Sequence, residues 1–535
     1  MEIIDQRTKK IMEDCKVRAR KAGLQFDNES LEYIVTNKDL IELSPKVMIP
    51  TLYDYWVHDV EVLKGIGKYK LYPSNPYETV INTRPAISFY NDNNPDWLNT
   101  MIFYHVLGHI DFFQNNIMFQ QTWDDDFAGR ALADKRLIAS LRSEHGRWVD
   151  YVIEFSRSID NTIGFFSELS LMNFPAAMSP SDKVAFYFDV FLQEQNKVPE
   201  HQVYKEVERF NELVSKNPDV GESAFFSEVK LRYPEFQAKY EKFSSRPEES
   251  VPDTMQFIID NSPFLKKEDN HWMKSVMSIV RNTGMYFSPQ GRSKIINEGW
   301  ASYWHDELFR GDGQIKTHEV DYARTNAWVT SISRIGLNPY AIGLRLIQYV
   351  EELADKGKLS VNYQRMLNID DRENYDRNTS KGKEAIFSLR KNFSDFMLIN
   401  TFVDQDFVDK HELFVVGQRL NEQRGTIEYY VKSRKAEDYK KMLLDSLYHP
   451  PYIKVDLTRS DENNLYLIHE FEGKQLYKPY IPDTMIGIEY LWGGQVHMET
   501  TEMYRRKPQG DEKPPIEYRK VLYSVKDRKI SKRNI

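Results

Sequence analysis

The chain has one cysteine, Cys15, among 535 residues. A single thiol excludes an internal disulfide and any zinc site built from several thiolates, which leaves histidine and carboxylate as the ligands of any bound metal. No apolar run reaches the length of a membrane-spanning helix. The first ten residues, Met-Glu-Ile-Ile-Asp-Gln-Arg-Thr-Lys-Lys, carry charge where a secretory signal needs an apolar stretch. These absences read as a cytoplasmic protein. The chain also lacks a Gly-x-x-x-x-Gly-Lys-Ser/Thr phosphate loop, a Gly-x-Gly-x-x-Gly turn after a strand, a Gly-x-Ser-x-Gly elbow and internal repeats. Excess basic charge is missing too: the net charge of -8 argues against nucleic-acid binding by the chain as a whole.

What is present is a globular composition, with 41% apolar residues, 32 Tyr and 30 Phe, and a mean hydropathy of -0.60. Periodicity divides the chain into four parts. Residues 1–45 read as a pair of helices, with Ile3, Ile4 and Ile11 in the first and Leu31, Ile34 and Val35 in the second. Residues 46–375 read as a mainly helical core that opens with proline-spaced loop and short strands up to Asp92. Its helices are expected at 97–119, 127–168, 182–194, 202–214, 271–285 and 294–309, with a last one from Tyr340 to Ala354 behind Asn338-Pro339. Residues 376–504 read as a smaller α+β domain, with strands at Glu412–Val416, Thr426–Val431, Tyr452–Leu457, Leu465–Glu470 and Met485–Tyr490 and a helix at Ala436–Tyr448. Residues 505–535 hold 11 Lys/Arg against 4 Asp/Glu and read as a basic, loosely ordered tail. The fold class is therefore α+β, a predominantly α-helical body followed by a C-terminal α+β domain.

Two segments carry chemistry. In Phe103-Tyr-His-Val-Leu-Gly-His-Ile-Asp-Phe-Phe, His105 and His109 lie one helical turn apart and project from one face, where they can share a metal ion. In the His-Glu-x-x-His pattern of metallopeptidases, the Glu beside the first His activates the metal-bound water; here that position is Val106. In Asn297-Glu-Gly-Trp-Ala-Ser-Tyr-Trp-His, Glu298 is followed by small residues that let its helix approach the two-His helix. It supplies a third ligand in a gluzincin-like arrangement, with His305 two turns on as an additional or supporting group and Asn116 on the His stripe. A divalent metal follows, zinc first.

For a general base the candidates are Asp111, Glu144, Asp150 and Glu154; the last two are four apart on a helix, a spacing that more often marks a solvated face. Gln290 and Lys294 stand just before Glu298 as possible contacts for substrate or partner. Asp124-Asp125-Asp126 fits a helix N-terminus better than a metal cluster, since adjacent acids diverge.

These segments resemble the stage V sporulation protein R (SpoVR) family. The resemblance is carried by Tyr77-Glu-Thr-Val-Ile-Asn-Thr-Arg-Pro, His105-Val-Leu-Gly-His-Ile-Asp-Phe-Phe-Gln-Asn-Asn, Tyr286-Phe-Ser-Pro-Gln, Lys294-Ile-Ile-Asn-Glu-Gly-Trp-Ala-Ser-Tyr-Trp-His, Asn338-Pro-Tyr-Ala-Ile-Gly-Leu and Leu491-Trp-Gly-Gly-Gln. It spans roughly residues 40–500 and includes Val106. Gln114 stands where the family commonly has Lys, and no Pro precedes Asn338-Pro-Tyr. The resemblance implies a role in spore cortex, peptidoglycan or envelope-stress physiology, and a PrkA-type serine kinase and a von Willebrand-like protein as partners. Three functional classes follow: a regulator with a metal site, an interaction protein in which the same residues form a polar core, and a metallohydrolase with an unconventional base.

Overall fold

The computed structural model describes the chain outside residues 40–78, 123–126, 164–181, 196–205, 217–219, 245–249, 422–424 and 506–515 and a few isolated positions. Asp124-Asp125-Asp126, the first residues of the Tyr77 motif, and parts of the helices expected at 127–168 and 202–214 lie outside the described residues.

Strand β1 (Glu2–Ile3) leads into helix α1 (Gln6–Lys21), which begins where the Asp5 carboxylate accepts from the Thr8 amide and ends on Arg18, Arg20 and Lys21. The second expected helix of this region is strand β2 (Ser30–Val35). Six residues are too few to nucleate a helix without tertiary support, whereas they complete a sheet with β3 (Thr79–Ile81) and β4 (Ala86–Asn91) in the order β1-β2-β4-β3.

Helix α2 (Asp96–Asn115) carries the histidine pair, and every residue from Thr100 to Phe113 is buried. A helix covered on all sides belongs at the centre of a body rather than on its surface. Helices α3 (Phe127–His145) and α4 (Trp148–Arg157) follow, then α5 (Gly221–Arg232) and α6 (Phe236–Ser244). The last two enclose an aromatic cluster of Phe186, Tyr187, Phe191, Phe225 and Phe236. After β5 (Ser250–Val251) and α7 (Thr254–Asn261), helix α8 (His271–Arg292) runs through Pro289, so the break expected around Ser288-Pro289-Gln290-Gly291 falls at Ser293 instead. Ser293 Oγ donates to the Pro289 carbonyl at 2.7 Å and closes that last turn.

Helix α9 (Lys294–Phe309) starts on a borrowed cap: the Asp395 carboxylate accepts from the Ile295 and Ile296 amides, both at 2.8 Å. Helix α10 (Glu319–Val329) precedes α11 (Pro339–Asp355), which begins as expected, with Asn338 capping the Tyr340 and Ala341 amides and Pro339 in the first turn. Helices α12 (Gly382–Asn392), α13 (Asp395–Phe402) and α14 (Gln405–Lys410) complete the body.

Beyond residue 411 the chain forms the hairpin β6 (Val415–Asn421) and β7 (Thr426–Ser433), then α15 (Ala436–Ser446), β8 (Tyr452–Asp456) and β9 (Asn464–Glu470). The strand expected at Glu412–Val416 thus starts later. The one expected at Met485–Tyr490 is helix α16 (Ile481–Trp492), which ends on left-handed Gly493. Strand β10 (Gln495–Arg505) runs parallel to β9, and a parallel pair needs a crossover, which α16 provides.

The tail expected to be loosely ordered supplies β11 (Ile516–Lys526) and β12 (Lys529–Asn534), giving the sheet order β12-β11-β10-β9-β8-β5. Its apolar residues decide this: Val521, Leu522, Tyr523 and Val525 are buried, and the basic residues of the two strands are exposed.

Among the described residues the fold is mostly helical with three small sheets. Two large cores divide it. One joins α1, α2, α9, α11, α12 and α15; the other packs residues of α3, α4, α7, α8 and α16 against the inner face of the six-stranded sheet. Middle-chain helices therefore share a core with the C-terminal strands.

Candidate metal centre

Helices α2, α9 and α11 meet at glycine. A Cβ on Gly108 would lie 2.8 Å from Ala301 Cα, and one on Gly343 would lie 2.0 Å from the Ile295 carbonyl oxygen. Ala301 is thus the small residue that lets α9 approach the two-His helix, while Gly299 serves the opposite contact, with Gly343 2.3–2.7 Å from where its Cβ would be.

This close packing brings His105, His109 and Glu298 together, with one ligand atom of each within 4.8 Å of the others. Glu298 Oε2 lies 3.7 Å from His105 Nε2 and 3.5 Å from His109 Nε2. Those separations are too long for strong hydrogen bonds, and the buried Oε2 makes none. Atoms about 2.0–2.2 Å from a tetrahedral zinc sit roughly 3.3–3.6 Å from each other, close to the two carboxylate–imidazole separations. His105 is fully buried, His109 is 4% exposed and the Glu298 side chain is 16% exposed, so the centre opens on the carboxylate side.

The outer nitrogens fix the inner ones. Asn326 Nδ2 donates to Asp306 Oδ1 at 3.1 Å, which turns its Oδ1 to His305 Nε2 at 3.0 Å and assigns a proton to that nitrogen. A neutral His305 then accepts at Nδ1, 2.8 Å from His105 Nδ1. His105 therefore carries its proton on Nδ1 and turns the Nε2 lone pair to Glu298. On the other side, His109 Nδ1 donates to Asn297 Oδ1 at 2.9 Å, with the same consequence. Tyr340, at the start of α11, stacks on His105 with ring centroids 5.9 Å apart.

His305 thus supports His105 rather than joining the cluster. Asn116 does neither: its Nδ2 donates to the Arg390 and Phe393 carbonyls, at 2.8 and 3.0 Å, and its Oδ1 accepts from the Met118 amide. It ties the end of α2 to α12. Asn297, Asn326 and Tyr340 were not among the expected site residues. For Asn297 a signal existed, its place beside Glu298; for the other two, separated by long stretches of chain, only packing supplies it.

The candidate bases are placed elsewhere. Asp111, two residues past His109 and so on another face, accepts from the Gln25 amide at 2.6 Å and the Trp300 indole at 2.8 Å, with Arg390 Nε at 3.4 Å. Burial pushes its carboxyl up to about 6 against the pull of Arg390 and those two donors. Glu144, Asp150 and Glu154 are exposed on α3 and α4, where Asp150 pairs with Arg142 at 2.7 Å and Glu154 with Arg157 at 3.7 Å. Gln290 is half-buried on α8 and Lys294 exposed at the start of α9; neither belongs to the three-residue cluster.

The model of the SpoVR family, described as SpoVR like protein, matches residues 4–449. The chain is also similar to an uncharacterized protein, YcgB, of Escherichia coli strain K12, with 24% identity over 339 residues, 60% of this chain and 59% of that protein. The match thus spans about three fifths of that relative's length. No solved structure gives a significant match. No helix among the described residues is long and apolar enough to cross a membrane.

Proposed function

Since the chain belongs to the SpoVR-like family, we propose that it is a divalent-metal protein, zinc first, in which His105, His109 and Glu298 hold the ion. Its role on this reading is regulatory, in spore cortex, peptidoglycan or envelope-stress physiology, alongside a PrkA-type kinase and a von Willebrand-like partner.

One observation carries the metal: a buried carboxylate oxygen without a hydrogen bond, 3.5 and 3.7 Å from two imidazole nitrogens whose lone pairs are turned to it. A bound ion supplies a fixed charge and Lewis acidity at that point. The protein's part is to hold the two imidazoles in one tautomer between buried residues of α2 and α9.

A regulatory rather than hydrolytic use is supported by the neighbours. Val106 replaces the usual base and is buried, Asp111 is committed to Trp300 and the Gln25 amide, and the remaining candidates are on the surface.

Elemental analysis of untagged protein tests the reading. Near-stoichiometric zinc, iron or manganese that is lost in the His105→Ala/His109→Ala double variant is expected. Metal-free wild-type protein, with stability indifferent to added zinc, would leave the interaction-protein reading in its place.

A further inference from the structure

Strands β6 and β7 form a two-stranded sheet of their own, whose base at Val415 packs on the first core. Their register sorts the side chains onto two faces. On one face Arg419 Nε and Asn421 Nδ2 donate to the Glu428 carboxylate at 3.0 and 2.6 Å, and the Arg419 guanidinium lies over the Tyr430 ring, which rests on Gly417. On the other stand Val416, Gln418, Leu420, Ile427, Tyr429 and Val431, without a charge among them. This second face is open: Leu420 is 66% exposed, Ile427 58%, Tyr429 48% and Val431 45%.

Two strands by themselves make a marginal sheet, and among the described residues β7 has no strand on its outer side. An edge that has to stay unpaired is commonly blunted by proline or by charges that repel an added strand. Strand β7, Thr-Ile-Glu-Tyr-Tyr-Val-Lys-Ser, has no proline, and its two charges, Glu428 and Lys432, are opposite in sign and four residues apart. That pattern complements itself in an antiparallel pair. A two-fold axis perpendicular to the sheet keeps each face on its own side, so it passes through a residue rather than between two. Centred on Glu428, it sets two carboxylates against each other. Centred on Tyr430, and nowhere else along the strand, it sets Glu428 opposite Lys432 at both crossings, with Tyr429 opposite Val431 on the apolar face.

We propose that the edge of β7 is a self-association surface, on which two copies of the chain pair antiparallel about a two-fold axis at Tyr430. The product is one four-stranded sheet in the order β6-β7-β7-β6, with Glu428 of each copy between its own Arg419 and the partner's Lys432. Tyr429 and Val431, which have a neighbouring strand on one side in the single chain, gain one on the other.

Sedimentation velocity of the full chain over a range of concentrations tests this, and the wild type is expected to pass from monomer to dimer. Lys432→Glu, at an exposed position, sets like charges together at both crossings and is expected to weaken the dimer at least about tenfold. The register has its own readout. Facing Cα atoms of an antiparallel pair lie about 4.5–5.5 Å apart, within reach of a disulfide, so Tyr430→Cys meets its own copy at the axis. Cys15 is fully buried, and mild oxidation is therefore expected to link two chains of Tyr430→Cys but not of Gln418→Cys, which lies on β6. A wild type that stays monomeric at every concentration would overturn the proposal and leave the edge to a strand of another protein. A dimer that Lys432→Glu leaves unchanged, or that Tyr430→Cys fails to cross-link, would overturn it as well.

Discussion

Replacing Asn326 with leucine removes the acceptor that holds the His305 Nε2 proton while nearly keeping the side chain's size. Without it, His305 no longer has to present a bare Nδ1 to His105, and a His105 protonated on Nε2 has no lone pair there for a metal. The structure sets the scale. The relay is continuous, 2.8 Å from His105 to His305 and 3.0 Å onward to Asn326, and removing an outer partner of this kind costs about 10- to 100-fold in metal affinity. That is about 1.4–2.7 kcal/mol of binding free energy. Asn297→Leu acts on His109 alone and is expected to cost a similar amount.

The assay is competition for zinc against a chromophoric chelator, with thermal unfolding of metal-free and metal-loaded protein beside it. Each variant is expected to weaken zinc at least about tenfold. The metal-free melting temperature should stay near that of the wild type, and the increment conferred by zinc should shrink. Wild-type affinity in a folded Asn326→Leu protein would refute the tautomer reasoning. So would a loss of stability equal in the two forms, because it would assign Asn326 a purely structural part, through Asp306.

Other expectations follow from the packing and the charges. Gly343→Ala puts a methyl 2.0 Å from the Ile295 carbonyl oxygen, a backbone clash that no rotamer relieves; a loss of about 1–3 kcal/mol or more in urea denaturation is expected, and an unchanged midpoint would show that α9 and α11 part easily. Cys15 is fully buried, and burial pushes its thiol up to about 12, so a thiol reagent should leave native protein unlabelled and modify it only on unfolding. Burial raises Glu502, but hydrogen bonds from Lys478, Lys532, Tyr504 and Tyr523 outweigh it and bring the carboxyl down to about 2. A carboxyl depressed in the folded state stabilises above its unfolded value and loses that contribution as pH falls through the folded one. Wild-type stability should therefore drop between about pH 4.5 and 2 more steeply than that of Glu502→Gln, and parallel curves would contradict the assignment.

How much was legible depends on the range of the forces involved. The helix of His105 and His109 and the capped start at Asn338 are written in local spacing and in one side chain's reach for its neighbours' amides. Met485–Tyr490 misled because a short run of Met, Ile and Gly fits a strand as well as a buried helix, and the parallel pairing of β9 with β10 decides between them from outside the segment. The tail misled for a related reason. Its charge count is that of a solvated extension, yet alternate positions hold Val521, Tyr523 and Val525, whose burial against the second core outweighs it.

The sequence by itself determined which side-chain types are available as ligands, the turn that aligns His105 with His109, the valine at 106 between them and the family of the chain, because these are matters of residue identity at fixed spacing. Tertiary structure alone decided that Glu298 reaches both imidazoles and that Asn297 and Asn326 set their protons. It also placed the four candidate bases away from the cluster. Positions 188 and 200 residues apart are joined there by the approach of α2 and α9, with Asn326 of α10 added 21 residues beyond His305, and glycine at 108 permits that approach on the α2 side without revealing from sequence which helix will arrive.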